Sequence, residues 1–299
     1  AACLSAQGAQ ATTLCLEPPD PAIEELSRRV GQHPHAALEE AGRRLAQGAA
    51  LPAGTRAWLH AIRAAAYWEL SYGSKTQEEA AAGLALAPDP RSAAHVQLLI
   101  YHGHADFHAE AIESAIPRFE AARRLHARGS AENLCLQIAL GDAQLKVDRI
   151  AEAVANLQEA YLVSREPGHE RQRVHAAMAL SRFMRYAGDY EQALALLREK
   201  IGWDTLHGHT YMLSADHYFE GRFNRLAGRS AESVRHYDHA RRLSAPFGDT
   251  LGDAYVDLER CMALTDLGRL GEAARLCREA QRVFAAHGEE AEAEARIQL

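Results

Sequence analysis

Four stretches of this chain repeat one order of apolar, small and polar positions: DRIAEAVANLQEAYLV from Asp148, GDYEQALALLREKI from Gly188, GRSAESVRHYDHARRL from Gly228 and GRLGEAARLCREAQRV from Gly268. Their starts are 40 residues apart each time. Within them a small residue follows Glu or Gln at Ala153, Ala193, Ser233 and Ala273, and seven residues later stand Ala160, Lys200, Ala240 and Ala280. A fixed period of this size marks a repeat array, in which each unit buries its apolar face only by stacking on its neighbours. Aromatics are 7% of the chain and alanine is abundant, a composition suited to closely packed helices and poor for strands.

The spacing resembles the tetratricopeptide repeat (TPR), a helix-turn-helix unit with small residues at consensus positions 8, 20 and 27. Position 8 becomes Gly141, Ser181, Gly221 and Cys261, and the turn position becomes Asp148, Gly188, Gly228 and Gly268. Glycine at the turn supplies the positive φ that ends a helix. Upstream, Gly103, Ala115, Phe119 and Ala122 match positions 8, 20, 24 and 27, and GLALAPDP (Gly83 to Pro90) matches the end of a unit. The resemblance implies an all-α fold: a right-handed α-solenoid of about seven helix-turn-helix repeats with a period of about 40 residues, some fourteen helices in all.

The expected TPR superhelix covers 20–299. It has a degenerate first unit over 20–52 and then units 53–90, 91–130, 131–170, 171–210, 211–250 and 251–288. The usual repeat is about 34 residues, so the surplus is expected in longer helices or in the connections between units. Asp20 followed by Pro21 is an N-cap with a first-turn proline, which makes 1–19 a lead-in tail. Residues 289–299 read as the first helix of a further unit, cut from a longer polypeptide, or as a cap.

The charge balance of 33 basic and 40 acidic residues, net −7, argues against nucleic acid or an anionic membrane surface as the partner. The longest stretch free of Asp, Glu, Lys and Arg is Ala1 to Leu16, too short and too polar to span a bilayer. Ala1-Ala2-Cys3 is similar to the end of a lipobox, and Ala9-Gln10-Ala11 to a signal-peptidase site; either makes the expected compartment periplasmic, with the cytoplasm as the alternative. No GxxxxGK[ST], HExxH or GxSxG pattern occurs, and GSKT at Gly73 to Thr76 lacks the upstream glycine of a phosphate loop. The expectation is therefore a non-catalytic chain with no cofactor.

In the resembled family, positions 2, 5, 9, 12 and 13 of the first helices face a concave groove where extended peptides or partner helices lie. These become His175, Met178, Arg182, Arg185 and Tyr186 in one unit, then Ala215, Tyr218, Arg222, Arg225 and Leu226 in the next. Four arginines on one wall would suit a carboxylate or phosphate, so the expected partner is a protein or peptide, acidic in character, or an anionic small molecule. The opposing reading pairs these arginines with neighbours such as Asp189, Asp216 and Glu220. His104 and His108 are four apart on one helical face, and position equivalence sets Asp142 beside His104, which together form a candidate three-ligand metal site. No metal is favoured there, and His207, His209, His217, His236 and His239 weigh less still.

Cys261 and Cys277 fall at positions 8 and 24, which face each other inside a unit. Their expected role is as small core residues, with a bridge as the alternative in an oxidising compartment. Cys3 and Cys15 would pair only on export. Trp58, Tyr67 and Trp68 are expected in the core, with a binding platform as the alternative. The lead-in, the forty-residue units and the abrupt end resemble the N-terminal sensor regions of bacterial TPR-containing diguanylate cyclases. Their GGDEF motif is absent, so the resemblance implies a sensor arm only, with homodimerisation through the last helix open. The alternative is a freestanding cytoplasmic scaffold or the TPR arm of a transcriptional regulator.

Overall fold

The structure, a computed structural model, describes residues 14–70, 72–105 and 109–287. Among these it holds fourteen α-helices and no strand. In chain order they are α1 (Pro21–Gln32), α2 (Pro34–Leu45), α3 (Ala53–Glu69), α4 (Gly73–Leu86), α5 (Ala93–His104), α6 (Ala109–Arg123), α7 (Ala131–Lys146), α8 (Ile150–Val163), α9 (Glu170–Tyr186), α10 (Tyr190–Leu206), α11 (Thr210–Leu226), α12 (Ser230–Ser244), α13 (Thr250–Asp266) and α14 (Leu270–His287). They form two compact units, Ala1–Phe183 and Met184–Leu299, with the boundary inside α9. No helix among the described residues is long and apolar enough to cross a membrane.

Local chemistry sets the helix ends. Asp20 accepts a hydrogen bond from Ala22 N at 2.9 Å and Pro21 opens α1, an arrangement that satisfies one orphan N–H and loses none. At the turn position Gly188, Gly228 and Gly268 have φ of 78°, 77° and 73°, and Asp148 occupies the same left-handed region at 59°. Aspartate is one of the few side chains that tolerate it.

Position 8 shows why the repeat needs a small residue. A Cβ at Gly221 would lie 2.5 Å from Tyr237 Cε1, and one at Gly141 would lie 2.6 Å from Leu157 Cγ. The residue 16 positions later thus packs directly on the glycine backbone and ties the two helices of a hairpin together. In the last hairpin the same two positions are Cys261 and Cys277, and they are joined by a disulfide across a separation of 16. That corrects the expectation of two free core thiols. The facing geometry that suited core packing also suits a covalent bond.

Lys200, the exception among the alanines of its position, is fully buried in α10. Its ammonium is neutralised by Asp204 at 2.6 Å and by Asp216, and His209 Nδ1 lies 2.8 Å from the other oxygen of Asp204. A buried cation needs such partners.

The lead-in expected as a tail is, from residue 14, a packed strap. Leu14, Cys15 and Leu16 are buried, at 0%, 5% and 3% exposure. Cys15 forms a disulfide with Cys135 of α7, 120 residues away, and not the pair with Cys3 that was open on export. Cys3, with the rest of 1–13, lies outside the described residues, as do His108 and the expected helix at 289–299.

Candidate functional site

In the first unit the strap crosses the first helices of three successive hairpins. Gln97 of α5 accepts a hydrogen bond from Leu16 N at 3.0 Å, and Gln172 of α9 donates to Cys15 O at 2.7 Å. Arg171 of α9 donates to Leu14 O at 3.0 Å and pairs with Glu17 at 2.8 Å. Three side chains thus read main-chain groups of a non-helical segment, and such contacts are indifferent to the segment's own side chains. Buried Gln97 and Gln172 are satisfied by the strap; without it their amides would lose partners.

Beside the strap these helices, with Trp68 of α3, line a partly open cavity of about 70 Å³, room for a few water molecules. Cys15 closes one side, Trp68 and Tyr101 supply aromatic walls, and His175, Met178 and Arg182 of α9 line the rest with His104 and Asp142. Three residues expected to face a groove therefore share one wall of one cavity. Trp68, expected in the core, is buried at 4% and also faces this space.

The polar residues of the cavity form a ladder. His104, Asp142 and Arg182 occupy equivalent positions on α5, α7 and α9. His104 Nδ1 is 3.4 Å from Asp142 Oδ2, and Arg182 pairs with the other carboxylate oxygen. Burial pushes the Asp142 carboxyl up, yet Arg182 and His104 outweigh this and hold it far below the ordinary range. Burial also lowers His104, against the opposing pull of Asp142, which leaves a neutral ring at pH 7. Its Nε2 is buried without a hydrogen-bond partner. Lys146 stands behind this ladder with Nζ 5.6 Å from the Trp68 ring centroid, its pKa lowered by burial.

This geometry weakens the metal candidate at His104, His108 and Asp142. Both oxygens of Asp142 are engaged, one by a guanidinium, and His108 lies outside the described residues. Among the described residues the constellation that brings imidazoles and a carboxylate together is His217, Glu220 and His236 instead.

In the second unit Arg222 and Arg225 of α11 converge on Glu259 of α13, each at 3.2 Å, and Glu259 is 1% exposed. Arg185 lies 4.0 Å from the Tyr186 ring centroid. Its pKa is lowered by burial and then by the nearby Arg222. Tyr218 is buried among these cations and its hydroxyl is pushed up to about 12 by burial. The arginines' carboxylates are Asp142, Glu259 and, for Arg225 at 3.9 Å, Asp266, not the Asp189, Asp216 and Glu220 that stand nearer in sequence. Asp189 caps α10 through Gln192 N, Asp216 holds Lys200, and Glu220 holds His217. An external anion would therefore meet arginines already shared with a carboxylate, except at Arg185, for which no carboxylate partner is found among the described residues.

No family model and no curated protein matches this chain. Solved structures do. A chain of the APC/C hetero-tetramer Cut9-Hcn1 is similar over 94% of this chain and 49% of its own, with 14% identity and a TM-score of 0.59. The apo form of RapI is similar over 92% and 79%, with 10% identity and a TM-score of 0.53. A kinesin-light-chain-type protein of Podosopora anserina, built of nearly identical TPR-like repeats, aligns over 67% of this chain and 98% of its own, with 16% identity and a TM-score of 0.50. At these identities the likeness speaks to architecture, and it gives this chain the fold of the TPR-like helical repeat proteins.

Proposed function

We propose that this chain is a non-catalytic binding module that takes a short non-helical segment of a protein partner on its first-helix faces. The observation that carries this reading is the strap: Gln97, Gln172 and Arg171 hold main-chain groups of residues 14–16 across α5 and α9. A partner segment needs the same chemistry, donors for its carbonyls and an acceptor for its N–H groups. Arg185, beside Tyr186 in the second unit and the one of the four arginines with no carboxylate partner among the described residues, favours an acidic group on that ligand.

The two disulfides support an oxidising compartment, and with it the reading of this module as the sensory arm of a membrane-anchored bacterial signalling protein of the diguanylate cyclase type. Alkylation of cysteines in intact cells tests the compartment: blocked Cys261 and Cys277 fit export, and labelled thiols refute it.

Binding is tested in trans. A variant lacking residues 1–19 is mixed with a fluorescent peptide of Thr13 to Pro19 carrying Cys15→Ser, and anisotropy is followed. Saturable binding that is lost when the Leu16 amide is N-methylated supports main-chain recognition. Equal binding of the methylated and scrambled peptides would refute it.

A further inference from the structure

One group of titratable side chains takes no part in the proposed binding faces. His217 and Glu220 are one turn apart on α11, and His236 and His239 one turn apart on the facing α12. His217 Nδ1 lies 2.9 Å from Glu220 Oε2, and His236 Nδ1 lies 3.1 Å from the same oxygen. One ligand atom from each of these three residues falls within 4.8 Å of the others. The His239 ring stacks on His217 with centroids 4.1 Å apart, and His217 faces His236 at 5.9 Å. Their side chains are 15% (His217), 10% (Glu220) and 28% (His236) exposed, which leaves the cluster open to an ion yet partly sheltered from water.

We propose that His217, Glu220 and His236 form a binding site for a divalent transition-metal ion, with Zn2+ the reference occupant and His239 or water completing the shell. Two imidazoles and one carboxylate make a borderline donor set that suits zinc, and the pairing of i, i+3 ligands on facing helices is a known way of building such a centre in a helical scaffold. With bonds of about 2.0–2.1 Å a tetrahedral edge is about 3.3 Å. The two observed nitrogen-to-oxygen edges fall a few tenths of an ångström short of it, and the His217 to His236 edge is the one that must adjust. Each ring delivers its lone pair by moving the proton to Nε2, so no strong base is required.

Burial pushes Glu220 up, but hydrogen bonds from His217 and His236 outweigh it and hold the carboxyl at about 2. His239 is lowered by burial and then by His217, Arg242 and His236. A shared cation would engage both imidazoles and the Glu220 carboxylate at once.

The test uses the full chain, stripped with a chelator and dialysed. Zn2+ is titrated by calorimetry and Co2+ by its visible absorption. The expected result is one equivalent bound in the micromolar range or tighter, weakened about tenfold or more by Glu220→Gln and by His236→Gln, with unchanged affinity in His207→Gln. Circular dichroism and metal-free melting of both variants check the fold, and the partly exposed His236 is the position least able to disturb it. Unchanged affinity in His236→Gln, or no binding tighter than about millimolar in the parent chain, overturns the proposal.

Discussion

Lys200 Nζ lies 2.6 Å from Asp204 Oδ2, one helical turn further along α10, and neither side chain is more than 1% exposed. Lysine here stands where three other hairpins have alanine, so the second unit has exchanged a small apolar contact for a buried ionic one. Removing one member strands the rest. Lys200→Ala should cost about 3–5 kcal/mol, read from urea unfolding. Lys200→Ala combined with Asp204→Ala and Asp216→Ser should recover most of that loss; an equally unstable triple variant would show that the network contributes net stability.

Gly221→Ala should cost about 1–3 kcal/mol, because the new methyl meets the face of a Tyr237 ring that has no free end to swing away. Gly202→Ala in α10, with nothing within 4 Å of the added Cβ, should instead be neutral or gain up to about 1 kcal/mol. Thermal melts of the two single variants provide the comparison, and equal effects would contradict the close-approach account.

Reduction should act on the two disulfides unequally. Chain-entropy arguments give about 3 kcal/mol for a loop the size of Cys261 to Cys277 and nearly 5 for one of about 100 residues, so Cys135→Ala should lower the midpoint more than Cys277→Ala. In Cys135→Ala the Leu16 amide should also exchange hydrogen faster, as the strap loses its anchor. Equal midpoints in the two variants would argue against that ordering.

Acid should unfold the metal-free chain in a window set by depressed carboxylates. Glu220 falls from its ordinary 4.5 to about 2, and Asp142 lies lower than its ordinary 3.8. For such groups the native state is favoured above the ordinary value, and the advantage fades as pH falls towards the folded one. Stability should therefore drop from about pH 4.5 downward, and Asp142→Asn should flatten that slope while lowering stability at pH 7. A slope unchanged in Asp142→Asn would remove this carboxylate from the acid response.

Much of the fold is legible in the sequence because its determinants are local and periodic. A small residue at position 8 and a left-handed turn residue recur every forty positions, and the residue 16 after position 8 meets it, by packing at Gly141 and Gly221 and by a disulfide at Cys261. The same equivalence that sets Asp142 beside His104 also sets it beside Arg182, so that ion pair could have been found by carrying the comparison one repeat further. Glu259 lies 37 and 34 positions from Arg222 and Arg225, off the period, so no positional equivalence points to it. The strap left no signal at all. Its contacts run from residue 15 to residues 135 and 172, and Leu-Cys-Leu in an unpatterned lead-in carries nothing that names Gln97 or Gln172. The His217 cluster carries a weak sequence signal because its four members divide between two helices, each with only a pair of ligands.

An array of hairpins ordinarily unravels like a zipper, since each hairpin holds only its neighbours and opening can begin at a terminus. The strap changes that for the first unit. By fastening residues 14–17 to α5, α7 and α9 at once, it turns nearest-neighbour coupling into a closed circuit, in which no one of these helices can loosen without drawing on the others. Hydrogen exchange along the three helices should accordingly report one shared opening free energy in place of a gradient from the end inward.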